Sequence, residues 1–227
     1  MLKKYEDLPL DMQNECVKKY YEILSKKRFS LLAKRLFDFF VSLFMILLLS
    51  PVMIILAIII KVDSKGPVFF RQVRVTTYGR RFRIFKFRTM VADAEKKGSL
   101  VTTKNDNRIT KVGAVIRKTR IDELPQLFNI LLGDMTFVGT RPEVVKYVEH
   151  YSEEMKATLL LPAGVTSEAS ICYKDEDKLL ESAENADETY INLILPEKMK
   201  YNLAAIEKFS FFSDIKTMFR TVWAVIK

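Results

Sequence analysis

The sequence predicts an α+β chain, mostly helical, in which an N-terminal re-entrant membrane helix hairpin leads into a cytosolic domain. Three observations carry this expectation. Residues 39–60 contain no charged side chain, a run long enough for a helix at bilayer depth. Ser50-Pro51 sits inside that run, and proline removes a backbone donor and clashes with the preceding turn. Basic residues flank both sides: Lys26, Lys27, Arg28, Lys34 and Arg35 before it, Lys61, Lys65, Arg71 and Arg74 after it. Because Lys and Arg mark the cytoplasmic side of a membrane segment, a single crossing puts one cluster on the wrong side. A helix that enters, breaks at Ser50-Pro51 and returns keeps both on one face. The main competing reading is a spanning helix with a proline kink, which membranes tolerate. A soluble core helix needs a shorter apolar run, and a secretory signal would start earlier and end in a small-residue cleavage pattern.

The resulting division is an amphipathic lead-in over 1–33, the re-entrant element over 34–61 and a cytosolic domain over 62–227. At 227 residues the chain can bury a sizeable core beside its membrane element. The net charge of +9 is concentrated: residues 61–120 carry 17 Lys and Arg against 4 Asp and Glu, and the remainder is net acidic. A basic segment directly after a membrane element suits anionic lipid or phosphate groups; that membrane element argues against nucleic acid. Cys16 and Cys172 form no metal spacing or disulfide framework. With His150 the single histidine, neither a His-centred metal site nor a Ser/His/Asp triad has much to work with. Any chemistry therefore rests on carboxylates, cations and a metal bound by oxygen.

Taken in order, Met12, Val17, Tyr20, Tyr21 and Leu24 lie on one face of a helix. Its lysines suit either anionic headgroups or solvent, the apolar face packing on the body in the second case. Gly66-Pro67 marks a turn. Val68–Val75 and Arg81–Phe87, separated by residues 76–79, read as a β-hairpin; Arg71, Arg74, Arg80, Arg81, Arg83, Lys86 and Arg88 line it with no acid between Asp63 and Asp93. Residues 91–110 read as loop with a short helix near Ala92–Lys97, and Lys111–Lys118 as helix. In Thr119–Glu143, Leu124, Leu127, Phe128 and Leu131 follow a buried helical face. Pro125 fits only a first turn, so Asp122 and Glu123 stand at or before the helix start, and Gly133 ends the helix. Such acids can cap backbone N–H groups. The other reading is an ionised nucleophile, Asp122, beside a second acid that holds a hard cation or moves a proton. Pro162–Ser167 reads as a turn or loop, Lys174–Glu188 as a charged, solvated stretch, and Pro196 as a helix start. Phe212, Ile215, Phe219, Val222, Trp223 and Ile226 recur at helical spacing, as a core face or an interfacial helix.

Several short segments occur in a fixed order: KRLFD at 34–38, Ser50-Pro51, GPVFFRQVR at 66–74, KFRTM at 86–90, DELPQL at 122–127, GDM at 133–135 and VGTRPE at 138–143. Together they resemble the bacterial sugar transferases, the monotopic polyprenyl-phosphate phosphoglycosyl transferases, in minimal catalytic form. The resemblance implies transfer of a sugar-1-phosphate from a UDP-sugar to undecaprenyl phosphate, with release of UMP. It implies Mg²⁺, membrane lipid as partner, and an active site on the cytoplasmic face of the bacterial inner membrane. It implies a covalent phosphosugar on Asp122, with Glu123 linked to Mg²⁺ or to protonation. Lys86, Arg88 and Arg141 fall on phosphate-binding positions. A homodimer is one assembly it allows. Thr140 replaces the usual Pro, residues 162–167 depart from a usual Pro-Gly-Ile-Thr-Gly run, and Asn202 stands near a usual Asp, so the sugar is left open.

Overall fold

The computed structural model describes residues 2–92, 94, 106–173, 176 and 185–226. Most of the expected short helix near Ala92–Lys97 and most of the charged stretch 174–188 lie outside the described residues.

The helices are α1 (Glu15–Ser25), α2 (Arg28–Asp63), α3 (Lys111–Lys118), α4 (Gln126–Leu132), α5 (Val145–Val148), α6 (Glu168–Cys172), α7 (Ala186–Thr189), α8 (Leu195–Glu207) and α9 (Phe211–Ile226). The strands are β1 (Phe69–Phe70), β2 (Val73–Val75), β3 (Arg81–Arg83), β4 (Lys86–Phe87), β5 (Met135–Val138) and β6 (Ala163–Thr166). The expected hairpin forms as two short antiparallel ladders. Phe69 faces Phe87 and Phe70 faces Lys86; Val73, Arg74 and Val75 face Arg83, Phe82 and Arg81. Strand β5 pairs in parallel with β6, Met135 opposite Ala163. That corrects the turn-or-loop reading of 162–167. Two residues there are alanine and glycine, so the segment lacks the branched, alternating side chains by which strands are recognised.

The lead-in joins the main core. Asn14 caps α1 by accepting the Val17 N–H at 2.8 Å. Leu8, Met12, Val17, Tyr20 and Leu24 pack with Tyr147, Tyr151 and Leu160 and with Met199 and Leu203 of α8. The apolar face of α1 is therefore covered by protein.

Helix α2 organises the rest. It is the one helix among the described residues long and apolar enough to cross a membrane. Its 36 residues correspond to about 54 Å, against a hydrocarbon core of roughly 30 Å. The helix runs through Pro51 as one element, without the break expected at Ser50-Pro51. Pro51 cannot donate to the Leu47 carbonyl four residues back, and the Ser50 hydroxyl donates to that carbonyl instead, at 2.9 Å. One side of α2 exposes large apolar residues from Phe29 through Phe40, Leu48 and Ile55 to Val62. The other side packs on the body along its length. Met45, Ile46 and Leu49 meet Leu127, Ile130 and Met135. Met53 and Ile60 meet Phe87 and Ile116.

The KRLFD segment bolts the first half of α2 in place. Lys34 Nζ donates to the Val138 carbonyl at 2.7 Å and to Asp214 of α9 at 2.5 Å. Arg35 donates to the Ile130 and Leu131 carbonyls at 2.8 and 3.0 Å, groups a helix end leaves without intrahelical partners. Asp38 accepts from Thr136 Oγ1 at 2.6 Å and from the Phe137 N–H at 3.2 Å.

Helix α9 corrects the core reading of its apolar stripe. Phe212, Phe219, Val222 and Trp223 are all exposed. The helix is attached to α2 through Asp214 and through Phe211, whose ring stands 5.6 Å from that of Phe37.

Candidate active site

Asp122 and Glu123 occupy a single 3-10 turn, Ile121–Glu123, between α3 and α4. Arg120, at φ 58°, adopts the left-handed conformation that turns the chain from α3 into it. Pro125 begins α4 without any side-chain cap, so neither acid acts as its cap. Gly133, at φ 84°, ends α4 in the left-handed conformation, as its sequence position leads one to expect. Ile121 and Leu124, on either side of the acid pair, pack against the Met53–Ile60 cluster of α2. The two carboxylates are thus tethered directly to the membrane helix.

Two cations converge on Glu123. Lys86 Nζ reaches Oε1 at 2.9 Å and Arg141 Nη2 reaches the same oxygen at 2.8 Å. Lys86 comes from β4, where the alternation of strand side chains buries Phe87 and turns Lys86 towards the acids. Arg141 comes from the loop after β5, which is pinned on both sides of it. Gly139 N–H donates to the Thr166 carbonyl at 2.9 Å and Gly164 N–H to the Thr140 carbonyl at 2.8 Å. Arg74 Nη1 donates to the Pro142 carbonyl at 3.0 Å, and Val75 N–H to the Glu143 carbonyl at 3.0 Å. Gly139 and Gly164 approach so closely that a Cβ on Gly164 would strike the Gly139 backbone, and one on Gly139 would strike the Pro162 carbonyl.

The electrostatics separate the two acids. Burial disfavours the Glu123 carboxylate, but Arg141 and Lys86 outweigh it and hold the group well below the usual carboxylate range. Asp122 moves the other way. Burial raises it, Lys86 opposes, and Glu123 raises it further. No other described residue donates a hydrogen bond to the Asp122 carboxylate. Burial lowers Lys86 against the pull of Glu123, while Glu123 raises Arg141 against burial.

The remaining predicted residues lie elsewhere. Arg88 is buried and donates through Nη2 to the Ser64 carbonyl at 2.6 Å and to Ser64 Oγ at 2.9 Å, which ties the end of α2 to the hairpin. Its Nε and Nη1 have no hydrogen-bond partner among the described residues. Ser50 and Pro51 are mid-helix in α2. Of the other hairpin cations, Arg71 stacks over Phe85 at 3.5 Å and Arg80 pairs with Asp134 at 2.8 Å. Only Lys86 of this run is bonded to the acid pair. Among the described residues no group of three or more His, Cys, Asp or Glu forms a ready metal cluster.

Sequence reading passed over two residues. Asn129 is fully buried: Oδ1 accepts from the Phe85 N–H at 2.8 Å and Nδ2 donates to the Arg83 carbonyl at 3.1 Å. A lone Asn between apolar positions of α4 was the available signal. Glu143 lies beside Arg141, buried, and accepts from Tyr190 at 2.6 Å; its partners are far away in sequence.

Residues 29–227 match the sequence model of the family described as bacterial sugar transferase. The chain belongs to this family. It is 36% identical over 192 residues to the UDP-N-acetylgalactosamine-undecaprenyl-phosphate N-acetylgalactosaminephosphotransferase of Aeromonas hydrophila, covering 83% of this chain and 42% of that protein. It is 36% identical over 190 residues to the UDP-glucose:undecaprenyl-phosphate glucose-1-phosphate transferase of Klebsiella pneumoniae, covering 82% and 38%. The sugar transferase EpsL of Bacillus subtilis (strain 168) is 33% identical over 189 residues, covering 83% and 85%. The chain thus spans about two fifths of the length of the first two relatives and most of the third.

Proposed function

We propose that this bacterial sugar transferase moves a sugar-1-phosphate from a UDP-sugar to undecaprenyl phosphate, releasing UMP. The observation that carries this is the asymmetric acid pair: Asp122, to which no other described residue donates a hydrogen bond, next to a Glu123 held by Lys86 and Arg141. A carboxylate that accepts only from its own backbone N–H keeps lone pairs for attack. In the first step an Asp122 oxygen bonds to the phosphorus that carries the sugar. The bond from that phosphorus to the bridging oxygen breaks, and UMP leaves with the electron pair. In the second step an oxygen of the lipid phosphate attacks the same phosphorus and returns Asp122 as a carboxylate. No proton or oxidant is needed for this balance. Lys86 and Arg141 are placed to offset the charge of the phosphates, and positioning of this kind is most of what a protein contributes to phosphoryl transfer.

Mg²⁺ suits the donor set: two adjacent carboxylates are hard oxygen ligands, and this ion is usually held by one or two such groups plus substrate phosphates. Glu123, whose second carboxylate oxygen is not engaged by Lys86 or Arg141, would hold it with Asp122 nearby, and when bound it would neutralise phosphate charge.

Helix α2 is best read as re-entrant, with the active site on the cytoplasmic face of the inner membrane. Leu31 near its start and Ile60 near its end both pack on the same body. A helix crossing the bilayer would carry these ends to opposite sides. The exposed stripe of α9 extends the apolar surface of α2, which suits a helix lying at headgroup depth.

The test is the intact mass of the protein incubated with Mg²⁺ and a panel of UDP-sugars, without lipid acceptor. A sugar-phosphate increment on wild type and none on Asp122→Asn is expected, and its size identifies the donor. The same increment on Asp122→Asn would remove Asp122 as nucleophile.

A further inference from the structure

A buried ionic cluster adjoins Arg141 through Glu143, two residues further along the same loop and lining the same small cavity. Lys198 of α8 is only 4% exposed. Its Nζ donates to Tyr190 Oη at 2.9 Å and to Glu176 Oε2 at 2.8 Å, and stands 3.8 Å from Glu143 Oε1. The Tyr190 hydroxyl donates to Glu143 Oε1 at 2.6 Å. The fields of Glu143 and Glu176 reach Arg141 together with that of Glu123. Arg141 therefore stands among three carboxylates but is hydrogen-bonded to one, Glu123. Lys198 is hydrogen-bonded to Glu176 and ion-paired with Glu143, which also acts on the buried Arg74. In a low-dielectric interior, an acid without its own cation draws the nearest one.

We propose that Lys198 is a positioning residue for Arg141. By occupying Glu143 and Glu176, with Tyr190 bridging, it leaves Arg141 directed at Glu123 and at the phosphates of an incoming substrate. Helix α8 thereby sets the strength of the anion grip from outside the site. The inference rests on the phosphate-binding role of Arg141 in the proposed function.

The test titrates inorganic pyrophosphate, and UDP in parallel, into wild type, Lys198→Met, Lys198→Arg and the double variant Lys198→Met/Glu176→Gln. Thermal unfolding of each protein is followed alongside. Lys198→Met is expected to bind pyrophosphate about tenfold more weakly, the scale of one charge-assisted contact. Lys198→Arg and the double variant are expected to return to within about threefold of wild type, because charge balance around Arg141 is restored in both. A merely structural role for Lys198 gives no such recovery when a second partner is removed. Should Lys198→Met fail to fold, Glu176→Gln decides alone. Its side chain is 25% exposed, and removing one acid that competes for Arg141 is expected to tighten pyrophosphate binding. Unchanged binding in Lys198→Met, a loss that Glu176→Gln does not recover, weaker binding in Glu176→Gln alone, or a wild type that takes up no pyrophosphate overturns the proposal. Pyrophosphate binding without UDP binding leaves the positioning role standing and counts against the nucleotide-sugar donor.

Discussion

Asp122 and Glu123 share one turn and differ in nearly everything around them. Glu123 faces the back of the site, where Lys86 and Arg141 meet on a single oxygen. Asp122 faces the front, where burial and the neighbouring negative charge raise its proton affinity and no other described residue donates to it. Pairs of titratable groups pushed apart by their surroundings mark a division of labour. The back of this site is satisfied and stable. The front is left unsatisfied, and the turn that holds it is anchored by Ile121 and Leu124 on the membrane helix. On the proposed function, an unsatisfied carboxylate held there is the reactive group.

The largest effect is expected from removing the front. Asp122→Asn keeps shape and burial but removes the attacking charge. Turnover, read as UMP release with undecaprenyl phosphate, is expected to fall on the order of 10³-fold or more. Thermal unfolding should not show destabilisation, because no hydrogen bond to another residue is lost. A variant that loses folding as well as activity would mean that Asp122 is part of the structural back.

Breaking the back should cost less and show a different signature. Arg141→Met leaves Glu123 with Lys86 alone, and turnover is expected to drop roughly 10²-fold, comparable with losing one charge-stabilising donor. Binding of inorganic pyrophosphate should weaken with it. Glu123→Gln also lowers turnover but is expected to tighten pyrophosphate several-fold, because the carboxylate that occupies both cations is gone. Opposite movements of turnover and anion affinity in Glu123→Gln would establish that this carboxylate stands where a phosphate oxygen binds. A parallel loss of both would mean that it supports the cations rather than competing with substrate.

The contrast between front and back was only partly legible in the sequence. The turn, the start of α4 at Pro125 and its end at Gly133 follow from local backbone rules and were readable. So was the hairpin, because Val, Phe and Ile alternate with Arg over two runs. The capping role open to the acids fails for a non-local reason: Lys86 from strand β4 and Arg141 from the loop after β5 both bond to Glu123. Composition could not sort the cations. Arg88 binds Ser64, Arg74 binds Pro142 and Arg80 binds Asp134, and each choice depends on which carbonyl or carboxylate the fold brings near. The order of short segments in KRLFD and VGTRPE identified the family, and the geometry supplies a physical reason for both: one bolts α2 to β5, α4 and α9, the other carries Arg141 on a pinned loop. Strand β6 was missed because Ala163-Gly164 lacks strand-like side chains. The apolar stripe of α9 stayed open between a core face and an interfacial helix because periodicity reports an apolar face without saying what covers it.

The smallest effect sharpens the comparison most directly, since it asks whether the back tunes the front. In the proposed mechanism the carboxylate of Asp122 is the attacking form, so the rate of covalent adduct formation should fall as pH drops through its pKa. Burial places that acid limb above the ordinary aspartate value of about 4. Lys86 opposes the rise, and Glu123 adds to it. Glu123→Gln removes one negative neighbour and releases Lys86 to act on Asp122, and both changes favour the carboxylate. The acid limb of Glu123→Gln is therefore expected to move to lower pH even though the plateau rate is reduced. Adduct formation followed by intact mass across a pH series gives both quantities from one experiment. A limb that stays in place, or moves upward, would show that Asp122 is governed by burial alone and that the two acids work independently.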